Sequence, residues 1–381
     1  MLKIDNIAIL QEVAMKTTPL HAIHQSLNAK MGEFAGYDMP LYYGEGVVKE
    51  HEWVRAQAGL FDVSHMGQIT LSGKGTTAFL ETITPSSFSN LPAGRAKYTV
   101  LTNEKGGIID DLIITRQGDE DYFAVINAGC KDKDIAWIGT HLPGSVDFRH
   151  HQDHALIALQ GPMAESVMRE VLKIDTAGQP YMWLEHAKLD GEEIFVSRVG
   201  YTGEDGFELS VPALIAPDVW QALSAHRAVK PVGLAARDSL RLEMGYCLYG
   251  HDIDQDTTPV EAGLSWVIAR ANKGYIGADT IIPQLEKGAA RQRVGVRLLD
   301  KGIAREGAAI VDGKGKTVGK ITSGSFSPTL KQAVAMGYVD SSLADPGSKV
   351  SVVVRDRSIA AEIAPMPFVQ AKTKAMKKQA A

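Results

Sequence analysis

Two adjacent carboxylates inside an apolar strand, Ile108-Ile109-Asp110-Asp111-Leu112-Ile113-Ile114-Thr115, constrain the fold of this chain more than any other stretch. Side chains alternate along a strand, so Ile108, Asp110, Leu112 and Ile114 share one face, and Ile109, Asp111, Ile113 and Thr115 the other. Both faces are mainly apolar, and a strand of that kind is covered on both sides. A carboxylate placed there needs a partner, hydrogen bonds or a proton, because a bare buried charge is very costly. The same alternation sends the two aspartates to opposite faces, so both cannot serve one site.

The neighbouring segments read as antiparallel strands mixed with helices. After an irregular start, Gly59 to Leu71 ends as an alternating strand, and a helix follows around Thr76 to Thr82. Strands are predicted over Ala96 to Thr102, Ile108 to Thr115 and Tyr122 to Asn127, then a polar helix over Lys131 to His141. Further on come a strand at Ala155 to Gln160, a helix at Pro162 to Leu172, a hairpin of Glu193 to Val199 with Phe207 to Val211, and a helix at Pro217 to His226. This order predicts an α+β region with antiparallel sheets rather than one doubly wound sheet. Beyond residue 288 the chain turns to short strands with glycine turns, at Val294 to Leu299, Ala308 to Val311, Val318 to Ile321, Val334 to Val339 and Val350 to Val354. That pattern is a separate all-β module, a small barrel or jelly roll. The expected organisation is an N-terminal extension over 1–17, a catalytic region of two interleaved α+β subdomains over 18–288, a β-barrel over 289–370, and a basic, disordered tail over 371–381.

Composition excludes several classes. A net charge of −5 over 381 residues argues against a nucleic-acid binder that relies on bulk positive charge, while leaving room for an anionic ligand held by local arginines. Cys130 and Cys247 are the only cysteines, which fits a reducing compartment and makes the cytoplasm the expected location. No run approaches the roughly 20 apolar residues a bilayer span needs, and the first residues read as neither a secretion nor an import signal. The GxGxxG, GxxxxGK[ST], GxSxG and HExxH patterns are missing. His150, His151 and His154 cluster near a turn with no cysteine or carboxylate set at ligand spacing, so no metal is assigned.

Other candidates for chemistry are fewer. Tyr201-Thr202-Gly203-Glu204-Asp205-Gly206-Phe207-Glu208 reads as a hairpin whose Gly203 and Gly206 permit positive φ, flanked by Tyr201 and Glu208. Gly233 to Glu243 opens a helix with Arg237 and Arg241 one turn apart, either a solvated ion-pair face with Asp238 or a carboxylate clamp. Ser64 and His65 are adjacent on a strand and point apart, which does not make a nucleophile and base.

Taken in order, Phe61 to Met66, Gly106 to Leu112, Gly200 to Gly206, Gly233 to Arg241 and Ile321-Thr322-Ser323-Gly324-Ser325-Phe326-Ser327-Pro328 resemble the T-protein of the glycine cleavage system, the aminomethyltransferase family. The resemblance runs from about Thr18 to Val369. It implies a three-part, clover-like fold around a tetrahydrofolate site. It also implies transfer of the aminomethyl carbon carried on the dihydrolipoyl arm of lipoylated H-protein to tetrahydrofolate, yielding 5,10-methylenetetrahydrofolate and ammonia. Carried onto matching positions, it makes Asp111 the catalytic carboxylate and Glu208 the pterin-binding glutamate. Tyr98, Tyr201, Arg237 and Tyr246 become folate-lining residues, leaving Asp110 as a structural carboxylate. Where some relatives carry an aromatic or arginine near the C-terminus for the folate tail, Gln370-Ala371-Lys372-Thr373 stands here. Arg305 is a candidate for the partner entrance. Two alternatives share the fold: a folate-dependent demethylase of another small donor, and a folate-binding accessory protein of iron-sulfur assembly. The accessory proteins carry Lys-Gly-Cys-Tyr-x-Gly-Gln where this chain has Lys273-Gly274-Tyr275-Ile276-Gly277-Ala278, without the cysteine.

Overall fold

The computed structural model describes residues 15–374. Within that range the chain builds two sheets, a small hairpin and a barrel. The strand carrying the aspartates, Ile108–Gly118, lies second in an antiparallel five-stranded sheet of order Ala96–Thr102, Ile108–Gly118, Asp121–Ile126, Gly67–Ser72 and Asp147–His150. The second sheet, of six strands, runs Trp183–Leu189, Glu192–Arg198, Gly206–Pro212, His154–Gln160, Ala58–Asp62 and Val229–Pro231. Its one parallel pairing joins the last two strands. From Arg291 to Ala364 six strands close into a barrel, which leaves no unpaired sheet edge. The α+β class, the antiparallel sheets and the barrel are therefore as expected.

Local pattern explains these elements. Helix Thr76–Ile83 buries Thr76, Phe79, Leu80 and Ile83, the spacing of one helical face. Helix Lys131–His141 packs Ile135, Trp137 and Ile138 against the same sheet. The six-stranded sheet is covered by helix Ala216–Ser224, whose Trp220 is fully buried. A further apolar cluster, with Val100, Ile108, Cys247, Ile253, Tyr275 and Ile281, joins the end of the aspartate strand to the segment that leads into the barrel.

Several elements depart from expectation. The helix expected over Pro162 to Leu172 is a single α turn, Ala164–Val167, continued by a π-helical turn, Met168–Leu172, and stopped by Lys173 at φ 59°. The strand expected at Val318 to Ile321 runs to Ser327, with a bulge between Ile321 and Ser323. A bulge lets adjacent residues face the same way, and here Thr322 and Ser323 both donate to Asp252, at 2.5 and 2.9 Å. The tail expected to be disordered from 371 is anchored over its first residues. Lys372 N–H donates to Gly203 O at 2.7 Å, and the Lys374 ammonium reaches Glu165 at 2.7 Å. The remainder of that tail and residues 1–14 of the expected extension lie outside the described residues. Among the described residues, no helix is long and apolar enough to cross a membrane.

Candidate functional site

Asp111 sits at the end of its sheet, 9% exposed, with Asp110 fully buried beside it. Register explains what holds them. Ile113 pairs with Val125 on the neighbouring strand, so Asn127, just past that strand's end, comes level with Asp111. The Asn127 side-chain amide donates to Oδ1 of Asp110 and to Oδ1 of Asp111, both at 2.9 Å. Its backbone N–H donates to the other oxygen of Asp110 at 3.0 Å. The two aspartates leave the strand on opposite faces, as their alternation implies, yet one amide beyond the strand end bridges them. Asn127 was unremarkable in the sequence because its role exists only through cross-strand register.

The second oxygen of Asp111 accepts the Tyr98 hydroxyl at 2.9 Å. Burial, reinforced by the neighbouring Asp110, pushes the Asp111 carboxyl up to about 7, against the opposing pull of the Tyr98 and Asn127 hydrogen bonds. Tyr98 in turn stacks on Trp266, ring centres 5.4 Å apart, and Trp266 is 67% exposed. Trp266 marks the open side of the site and carried no recognisable signal in the sequence.

Tyr201, Glu208, Arg237 and Tyr246 form a second group. The rings of Tyr201 and Tyr246 stack at 5.7 Å, and the Arg237 guanidinium lies over Tyr201 at 5.0 Å. The Tyr201 hydroxyl donates to Cys247 O. Glu208 is buried and its pKa is raised by desolvation, opposed by the charge of Arg237. Glu208 faces a narrow space between the two sheets with Phe123, Leu156, Ser197 and Ser210. Arg237 Nη1 is buried and has no hydrogen-bond partner among the described residues. Burying an unpartnered donor is costly, so this guanidinium is arranged for an acceptor the protein does not itself supply. Burial raises the pKa of Tyr98, Tyr201 and Cys247, and the charge of Asp111 adds to each, which ties both groups to one shared environment.

Surrounding contacts fix these positions. Gly203 has φ 76° and a Cβ there would stand 2.1 Å from Met244 Sδ, so the Tyr201 turn requires glycine. Helix Leu234–Glu243, which carries Arg237, begins where Gly233 N–H meets Glu50 at 2.9 Å. The ambiguity over Arg237 and Arg241 resolves by division of labour. Arg241 is the ion-pair residue, bonded to Asp238, Asp252 and Ser323 Oγ, and it locks the helix to the barrel. Arg237 is left free for the site.

Elsewhere, Ser64 and His65, expected on a strand, lie in the turn between Ala58–Asp62 and Gly67–Ser72, where Ser64 donates to Leu156 O and makes no hydrogen bond with His65. His151 and His154 gather with Asp153, which lies between them in the chain and which the sequence reading did not count as a ligand, their candidate ligand atoms within 4.8 Å of one another. Arg305 is exposed and reaches Gly324 O at 3.4 Å.

Comparison with known proteins gives these residues a context. Residues 20–272 match the GCVT N-terminal domain and residues 291–370 the glycine cleavage T-protein C-terminal barrel domain. The mitochondrial aminomethyltransferase of Dictyostelium discoideum is 44% identical, with 93% of each chain covered. The aminomethyltransferase of Halothermothrix orenii is 41% identical over 93% of this chain and 100% of its own. The crystal structure of glycine cleavage system aminomethyltransferase T from Bartonella henselae superposes with a TM-score of 0.91 at 38% identity, covering 95% of this chain and 100% of that one. The paired carboxylates, the tyrosine stack and the barrel thus stand in a chain that belongs to the glycine cleavage T-protein family of aminomethyltransferases.

Proposed function

We propose that this enzyme takes the aminomethyl carbon from the dihydrolipoyl arm of a lipoylated H-protein and delivers it to tetrahydrofolate, releasing ammonia, with Asp111 at the reacting centre. The observation that carries the assignment of Asp111 is its setting: a nearly buried carboxylate, held on both oxygens by Tyr98 and Asn127 and titrating near neutrality.

The substrate carbon lies between sulfur and nitrogen, so loss of ammonia or attack by a folate nitrogen develops iminium-like positive charge. A fixed carboxylate in a water-poor site stabilises that charge without reorganising. A pKa close to neutrality also suits Asp111 to accept a proton as the new carbon–nitrogen bond forms. Glu208 offers acceptors for the amino-pyrimidine edge of a pterin, and the unpartnered Arg237 Nη1 offers a donor for a folate oxygen. The Tyr201–Tyr246 stack and Tyr98 line the remainder with aromatic surface. These groups fit tetrahydrofolate by chemistry: one acid, one buried donor and three aromatic rings.

The two buried cysteines fit a reducing compartment, and relatives occur both in bacteria and under mitochondrial names. We place this chain in the cytoplasm. The direct test is purified enzyme with tetrahydrofolate and aminomethylated H-protein. Formation of ammonia and methylenetetrahydrofolate supports the reading, and neither product at saturating substrates rejects it.

A further inference from the structure

Helix Lys131–His141 presents Asp134 to the far side of the aspartate strand. Asp134 is fully buried, and neither of its carboxyl oxygens receives a hydrogen bond from any described residue. Oxygens of Asp110 and Asp134 and the sulfur of Cys130 all lie within 4.8 Å of one another. Two carboxylates this close and this buried cannot both stay ionised. Asp110 already accepts two N–H groups from Asn127, which marks it as the acceptor. Asp134 has no donor aimed at it, which marks it as the acid.

We propose that Asp134 is a positioning residue: it keeps its proton, donates it to Asp110, and completes a relay Asp134–Asp110–Asn127–Asp111 that fixes the carboxylate at the reacting centre. The proton leaves the pair with one negative charge, and that charge holds Asn127. The Asn127 amide then supplies one of the two hydrogen bonds on Asp111, the other coming from Tyr98. The charged and titratable neighbours are consistent with a held proton. Burial and Asp110 raise the Asp134 pKa strongly, Asp111 adds to this, and Lys133 opposes it. The Lys133 ammonium is itself engaged by Ile109 O and by the Tyr249 hydroxyl, 2.8 Å away. The Cys130 thiol is pushed up by burial and both aspartates, so it adds no charge.

This inference rests on the reading that Asp111 acts in catalysis, and the experiment separates the two. Asp134→Asn replaces the acid with an amide that still donates to Asp110, whereas Asp134→Ala removes the donor. With folate and aminomethylated H-protein, Asp134→Asn should keep kcat within about threefold of wild type. Asp134→Ala should lose at least tenfold in kcat, with KM for both substrates within about twofold and the acid limb of the pH–rate profile displaced. A merely structural residue would lower stability without moving that limb. Independently of activity, infrared spectra at pH 9, where Asp111 is ionised, should show a protonated-carboxyl band in wild type that vanishes in Asp134→Asn. No loss of band, or equal kcat and pH profiles in the two variants, overturns the proposal. If the band is lost while Asp111→Asn retains full activity, the shared proton stands and the catalytic reading of Asp111 falls.

Discussion

Replacing Asp111 by asparagine should slow the enzyme and stabilise the protein at the same time. Asparagine is nearly isosteric, and its oxygen can still accept from Tyr98 or Asn127, so the site should keep its shape. What disappears is a carboxylate that folding makes harder to ionise. Its pKa rises from 3.8 unfolded to about 7 folded, roughly three units, or about 4 kcal/mol as an upper bound. The sign follows from proton counting. Between those pKa values the folded state holds a proton that the unfolded state has lost, so wild-type stability falls as pH rises through that window and levels off above it. The gain from Asp111→Asn should therefore be absent below pH 4, about half developed near pH 5.5 and complete at pH 8. Thermal melts of both proteins across that range, with kcat at saturating substrates, provide the assay. The expected result is a drop of at least about 100-fold in kcat with a melting temperature several degrees higher at pH 8. Unchanged kcat, or a stability difference that does not grow from pH 5 to pH 8, would refute the reasoning.

Tyr98→Phe removes a hydrogen bond that lowers the Asp111 pKa, so the acid limb of the pH–rate profile should move to higher pH; an unmoved limb would disconnect Tyr98 from Asp111. Gly203→Ala places a methyl group at φ 76° against Met244 and should cost roughly 1–3 kcal/mol in denaturant titration while raising KM for folate through the displaced Tyr201. Arg241→Met strips the buried Asp252 of its guanidinium partner and should cost about 3–5 kcal/mol, a loss that equal midpoints in urea would contradict. Glu208→Gln should raise KM for tetrahydrofolate by about tenfold, one hydrogen bond to a charged group, and leave KM for the H-protein unchanged.

The parts of the fold legible in sequence were those written in local periodicity. The aspartate strand, the helix from Lys131 to His141 and five of the six barrel strands announce themselves by spacing, whereas the closing strand, Arg357–Ala364, did not. What the sequence hid was placed by tertiary contacts. Helix Ala278–Lys287 contains Pro283, which reads as a breaker, although its Ala278 and Ile281 are buried against the joining cluster. Lys372 and Lys374 look like a solvated tail by composition, yet backbone and side-chain bonds to Gly203 and Glu165 hold them across the turn that carries Tyr201. Asp134 sits in the charged first turn of its helix, Lys131 to Asp134, which reads as solvated, and its burial comes from packing beside Asp110.

Alternation along the strand correctly sends Asp110 and Asp111 to different faces, but it does not follow that one is structural and the other reactive. Both carboxylates grip Asn127, and Asp110 adds to the pressure on the Asp111 pKa. The charge on the packed face therefore sets both the orientation and the proton affinity of the group on the open face. A carboxylate with a neutral-range pKa needs burial to raise it and hydrogen bonds to keep it in place, and these pull in opposite directions. The paired aspartates meet both demands: Asp110 supplies repulsion through the strand, and Asn127, held by that same Asp110, supplies the restraining bond. An apolar residue at 110 would remove both effects together, which is a physical reason for two consecutive acids where the reacting centre uses one.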